Sequence, residues 1–179
     1  MEQNYIEESV RVRLILAGIS ELEEHGITDF SLRRAALAAQ VSCAAPYRHF
    51  ADKESFIREI LLYIEKQWKL LRDEILRLYA ANPLRALTEV SLAYVRFSVA
   101  NPHYRRILRE AGVPRADFAG EALADFCKTK SEESAAALAY RLPALLYGTV
   151  TMLEGGELSN GEDGWREIRA AVEELLCRS

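Results

Sequence analysis

The stretch SLRRAALAAQVSCAAPYRHF, residues 31–50, decides how this chain is read. Ser31 offers a side-chain oxygen to the unpaired N–H groups that open a helix, so a short helix is expected from Leu32 to about Ala39. Gln40-Val41-Ser42 interrupts it. Ser42 offers a second cap, and a third helical segment is expected to run to His49 or Phe50. Leu32, Ala35, Ala36 and Val41 are apolar or small and face inward, and Ala36 lets the two helices approach closely. Two short helices about a three-residue turn have helix-turn-helix spacing. The charge pattern agrees. Between Ser31 and Ala51 stand three arginines, Arg33, Arg34 and Arg48, and no acid, whereas residues 1–55 as a whole hold 6 basic and 9 acidic side chains. A basic island inside an acidic segment suits a surface that faces phosphates.

Outward from this stretch, helical periodicity dominates. A first helix is expected from about Glu7 to His25, with Val12, Ile15, Ile19 and Leu22 on one stripe and Gly26 as its stop. Asp52 caps a long fourth helix from Lys53 to about Tyr79, and Asn82-Pro83 stops it. Further helices are expected over Leu84–Ala100, shortly after Asn101-Pro102, around Ala116–Thr129, over Ser131–Glu154 and over Asp163–Cys177. No stretch alternates apolar and polar residues as a half-buried strand would. The expected fold is all-α, with about nine helices. An amino-terminal three-helix domain, residues 1–52, carries the helix-turn-helix, and a helical bundle follows over residues 53–179.

Half of the 179 residues are apolar, which suffices for a packed core, and the net charge of −4 excludes a globally basic coat. The amino end is charged where a secretory segment would be apolar. The longest apolar stretch, Ala135–Leu153, contains Arg141 and Pro143 and reads as a buried helix rather than a membrane span. Three scattered cysteines, Cys43, Cys127 and Cys177, suit a reducing cytoplasm. His25, His49 and His103 have no partner at ligand spacing, so no metal and no cofactor is expected. Gly-rich phosphate loops, HExxH, GxSxG and Glu-x-x-His pairs are missing, so no enzyme is expected.

In the segment with the basic island, the third helix would be the reading element. Cys43, Ala44 and Ala45 are small enough for close approach to a groove. Tyr47 and His49 can donate to phosphate, as can backbone N–H groups near Ser42 and Lys53. Arg33, Arg34 and Arg48 can reach base edges or phosphates. The Tyr47 ring is expected to be buried, with its hydroxyl at the surface.

Here the chain resembles a family. Arg13 to Glu59 looks like the DNA-binding region of TetR-type transcriptional repressors: Ala17, Gly26 and Ser31-Leu32-Arg33, then Ala39-Gln40-Val41-Ser42, then Pro46-Tyr47-Arg48-His49-Phe50 and Asp52-Lys53-Glu54. The family usually has glycine where this chain has Gln40, and a polar or basic residue where it has Cys43. A side chain in the left-handed turn costs on the order of 1 kcal/mol. Asn101-Pro102-His103-Tyr104 and Leu146-Tyr147-Gly148 are similar to a carboxy-terminal type marked by Trp…His-Gly, with Tyr147 in place of the histidine and no tryptophan.

The resemblance implies a homodimeric repressor that binds double-stranded DNA at a palindromic operator and leaves it when a small-molecule effector binds. Trp68, Tyr94, Phe97, Tyr104, Phe126 and Tyr147 are the candidate effector-pocket residues. The helices Ser131–Glu154 and Asp163–Cys177 are the candidate dimer interface. The competing reading is a helical protein-interaction module whose helix-turn-helix no longer binds DNA.

Overall fold

The computed structural model of the chain describes residues 2–102, 104, 118–128 and 130–178, residues 2–9 as helix only. Among the described residues there are eight helices and no strand: α1 Glu2–His25, α2 Leu32–Ala38, α3 Pro46–His49, α4 Lys53–Leu78, α5 Pro83–Ala100, α6 Glu121–Cys127, α7 Glu132–Gly155 and α8 Glu162–Cys177. The all-α expectation holds. The short helix expected after Asn101-Pro102, together with His103 and the start of the segment expected from Ala116, lies outside the described residues. α1 begins several residues earlier than its stripe suggested. α3 is much shorter than expected.

The chain divides into two compact units, and the division falls inside α4, between Lys66 and Gln67. The amino-terminal unit contains α1, α2, α3 and the first part of α4, and Tyr104 belongs with it. Its core is built from Leu14, Ile15, Leu22, Phe30, Phe50 and Phe56. Phe30 meets Phe56 edge to face at 5.5 Å, a favoured aromatic geometry. Gly18 permits the packing of α1 on α4, because a Cβ there would stand 2.6 Å from Ile60 Cδ1 and 3.1 Å from the Phe56 ring. Arg11 pairs with Glu59 between the same helices.

The second unit contains the rest of α4 and helices α5 to α8. α5 packs against both α7 and α8. Trp68, Leu87, Val95, Leu142, Val150 and Val172 are among the side chains sealed in its core. Arg169 on α8 donates from both terminal nitrogens to Glu89 on α5, at 3.0 and 3.1 Å, so the two helices are joined by a bidentate clamp. Gly164, in the first turn of α8, lies against the Ser159 carbonyl, where a Cβ would come within 1.8 Å.

α7 is the one helix among the described residues long and apolar enough to cross a membrane, and a third of its most apolar stretch is buried within the chain. Leu138, Leu142, Leu146, Val150 and Leu153 form its buried stripe, at spacings of three and four. The opposite face leaves Ala136, Tyr140, Ala144, Gly148 and Met152 exposed, with Tyr140 at 77% and Met152 at 41%.

Candidate nucleic-acid interface

The two ends of α2 are fixed by local chemistry. At its start, Ser31 Oγ accepts from the Arg34 backbone N–H at 3.3 Å, the cap expected from the sequence. At its end, Gln40 takes a left-handed φ of 55°, alone among the described non-glycine residues. The Gln40 N–H donates to Leu37 O, and the Val41 N–H reaches back to Ala36 O, both at 3.0 Å. These are the two bonds of a Schellman ending, here built without glycine.

The next turn corrects the sequence reading. α3 begins at Pro46, not at Cys43, and Ser42 does not cap it: Ala45 occupies the N-cap position and no side chain supplies a bond. Proline has no N–H with which to reach back to Ser42 O, so that carbonyl accepts from Ala45 N at 2.9 Å and closes a tight turn instead. Proline is at home in the first turn of the helix that follows. After it, Asp52 opens α4 as expected. Its Oδ1 accepts from Ser55 N at 2.7 Å, while its own N–H donates to Ser55 Oγ at 3.0 Å. The Ser55 backbone bond, then the Ser55 hydroxyl, hold the Asp52 carboxyl below its ordinary range.

The candidate DNA-contacting residues divide by exposure. Arg33, Ser42, Cys43, Ala44, Tyr47 and Arg48 are all exposed, and His49 is half-buried. Tyr47 shows 65% of its surface, so its ring stands out from the helix rather than packing inward as expected. Arg33 and Arg48 form no ion pair among the described residues. Lys53 is half-buried and donates from Nζ to Thr28 O at 2.8 Å. Ser31 is half-buried and occupied as a cap.

Of the other two expected residues, one is buried and one, though exposed, is held by an acid. Ala45 is buried, because the Ser42–Ala45 turn folds it under α3. Arg34 is tied to Glu21, an acid on α1 that is only 7% exposed. Arg34 Nε donates to the two Glu21 oxygens at 2.9 and 3.2 Å, and Arg34 Nη2 donates to Glu21 and to the Asp29 carbonyl. Glu21 also accepts from the Ser31 N–H at 3.0 Å, and His25 Nδ1 lies 3.4 Å away. Burial alone would push the Glu21 carboxyl up. The hydrogen bonds from Arg34 and Ser31 and the Arg34 charge outweigh it, so the group sits below its ordinary range. In the sequence Glu21 is only one of the nine acids of residues 1–55. The signal was its spacing, since Leu14, Gly18 and Glu21 fall on one helical face and that face is buried.

The candidate effector residues separate. Trp68, Tyr94, Phe97 and Tyr147 pack on one another in the second unit, with Trp68 5.4 Å from Tyr94, 5.3 Å from Phe97, and Tyr94 6.1 Å from Tyr147. Phe126 packs against the same core and also borders a cavity of about 470 Å³, with Leu76, Pro83, Leu84, Ala122 and Asp125. Tyr104 falls in the other unit, where burial, and after it the Glu65 carboxylate, pushes its hydroxyl up to about 12. No group of three or more His, Cys, Asp or Glu able to hold a metal occurs among the described residues.

No family model matches the chain. Over 114 residues, 64% of its length, it is 29% identical to the HTH-type transcriptional regulator AcrR of Shigella flexneri, and it spans about half (53%) of that relative. Its fold is similar to that of a protein of unknown function from Rhodococcus sp. RHA1, with a TM-score of 0.71 at 21% identity over 94% of each chain. It is also similar to a TetR family transcription regulator from Marinobacter aquaeolei VT8, with a TM-score of 0.69 at 18% identity over 98% of each chain. The similarity in sequence is thus to a helix-turn-helix transcriptional regulator, and the similarity in fold is to chains that include a TetR family transcription regulator.

Proposed function

We propose that the chain is a DNA-binding repressor that acts as a symmetric homodimer in the cytoplasm. Each copy places α3 and the Ser42–Ala45 turn in one major groove of a palindromic operator. The single observation that carries this reading is the outward face made by Arg33, Tyr47 and Arg48, with small Cys43 and Ala44 at its edge and no acid between residues 31 and 51. Arg33 and Arg48 hold their charge in water, ready to replace counterions on phosphates, and Tyr47 can donate to a phosphate or stack on sugar. Residues 1–52 are the reading head in this account, and residues 53–179 carry the effector and dimer functions.

The dimer rests on α7. A chain that leaves Ala136, Tyr140, Ala144, Gly148 and Met152 in water, with Arg141 and Thr151 among them, has surface to bury, and a second copy of the same helix is the self-complementary partner for it. The operator half-sites would then be spaced by about one helical turn, 34–36 Å, or somewhat more. The effector would be a small molecule with a large apolar part, received in the second unit. The cavity beside Phe126 has the size and the mainly apolar lining that such ligands need. An effector releases DNA only if it prefers the non-binding spacing of the two heads.

The test is selection of duplexes from a random-sequence pool by the purified chain. A palindromic consensus is expected, bound with an affinity that falls steeply as salt rises. Arg48→Ala and Tyr47→Ala should each weaken binding and leave the helical content unchanged. A chain that selects no sequence, or one whose binding ignores both substitutions, overturns the reading.

A further inference from the structure

On the DNA-binding reading above, Arg34 has a role of its own. Arg33, Arg34 and Arg48 make the basic island, with Lys53 just beyond it, and in the sequence they look alike. The structure separates them. Arg34 spends its Nε and Nη2 on Glu21 and on Asp29 O, so its charge is compensated on its inner side. Glu21, in turn, is a nearly buried carboxylate whose hydrogen bonds run to the opening of α2, to the Ser31 N–H and the Arg34 guanidinium, with His25 beside it on α1 at 3.4 Å. One α1 carboxylate thus serves as an additional cap for α2, while the arginine in the first turn of α2 fastens the loop before it.

We infer that Glu21 and Arg34 form a latch that orients α2, and with it the Arg33 side chain and the turn into α3, for DNA, and that Arg34 itself is a positioning residue rather than a phosphate contact. Three features support this. The bonds are bidentate and charge-assisted, which fixes orientation as well as distance. The latch closes on the N-terminal turn of a helix of only seven residues, too short to hold its own direction. Arg33, the residue before it, is exposed and carries no ion pair among the described residues, so the two adjacent arginines have separate tasks.

The two roles for Arg34 predict opposite outcomes for Glu21→Gln. If Arg34 binds phosphate, removing its carboxylate partner releases it, so affinity rises and the dependence of log K on log salt steepens. If the latch orients α2, Glu21→Gln loosens the helix. Binding then weakens by roughly tenfold, the size of one lost charge-assisted bond, and the salt slope stays that of the wild type.

The experiment uses the full chain and a duplex selected by the wild type, at a temperature where circular dichroism shows each variant folded. Glu21→Gln, Arg34→Gln and the double variant are compared across a salt series, with Arg48→Ala as the reference for a phosphate contact. The latch predicts an unchanged slope in all three, and a double variant no weaker than the weaker single one. Arg48→Ala should lower the slope by about one. Tighter binding by Glu21→Gln, or a slope lowered by about one in Arg34→Gln, overturns the inference. Where Arg34→Gln does not fold, Arg34→Lys replaces it: the charge stays but the fork is lost, so the latch predicts weakened binding and a phosphate contact predicts nearly full binding. Unaltered affinity in every folded variant reduces the pair to a stability role and also overturns the inference. A wild type that selects no duplex refutes the DNA-binding reading instead, so the two failures are told apart.

Discussion

Phe50 stacks face to face on Phe56, with ring centroids 4.1 Å apart and planes within 7° of each other. Phe50 is the residue that ends α3, and Phe56 lies in the first turns of α4. The stack therefore sets where the end of α3 rests. Both rings are buried, and Phe30 closes on Phe56 from the side. Phe50→Ala would remove a ring from a filled core and is expected to cost about 3 kcal/mol. Urea unfolding followed by circular dichroism measures it. A loss below about 1 kcal/mol would mean that the stack does not hold α3 in place.

Gln40 holds a left-handed φ of 55° in the turn after α2. Glycine adopts that conformation without steric cost, so Gln40→Gly is expected to stabilise the chain by about 1 kcal/mol. The side chain at this position is exposed, so nothing packed is lost. The readout is the urea midpoint with an unchanged slope. A lower midpoint would show that the glutamine side chain contributes to the native state.

Acid is expected to destabilise the amino-terminal unit through two carboxylates. Glu21 and Asp52 are both held below their ordinary range in the folded chain. A group depressed in this way adds stability that is fully present above its unfolded pKa and is lost as pH falls through its folded pKa. The loss should therefore begin below about pH 4–5, where unfolded carboxyls start to take up protons. Thermal melts at stepped pH measure the acid limb. Glu21→Gln should lower the melting temperature at neutral pH and make the acid limb shallower. An identical limb in wild type and variant would contradict the assignment.

Ala144 sits in the middle of the exposed face of α7 that carries Tyr140, Gly148 and Met152, one turn from Arg141. Ala144→Arg places a charge where a second α7 would pack, while the buried stripe on the other side is untouched. The variant should stay helical and sediment with half the mass of the wild type. A variant that sediments as the wild-type dimer removes this face from the interface.

Much of the fold could be read from the sequence because it is set by contacts between near neighbours. Ser31 and Asp52 cap the helices that follow them, Gly26 ends α1, and Gln40 marks the left-handed turn, all through bonds spanning a few residues. The apolar period fixed α4, α5, α7 and α8 to within a few residues. Pro46 was also in plain view, and its missing N–H would have placed the start of α3 correctly.

The candidate site was legible in part. Periodicity tells which side of a helix faces in, but it does not name the partner waiting there. Only the packed chain shows that Glu21 is buried and meets Arg34, that Ala45 folds under and Tyr47 stands out, and that Tyr104 falls in a different unit from Trp68, Tyr94, Phe97, Phe126 and Tyr147. The sequence by itself determined the helices, their ends and the basic island, since each follows from local geometry and composition. The tertiary structure decided which arginines remain free to meet a ligand, because a charge is committed by the side chain that the fold brings against it, here across 13 residues of chain.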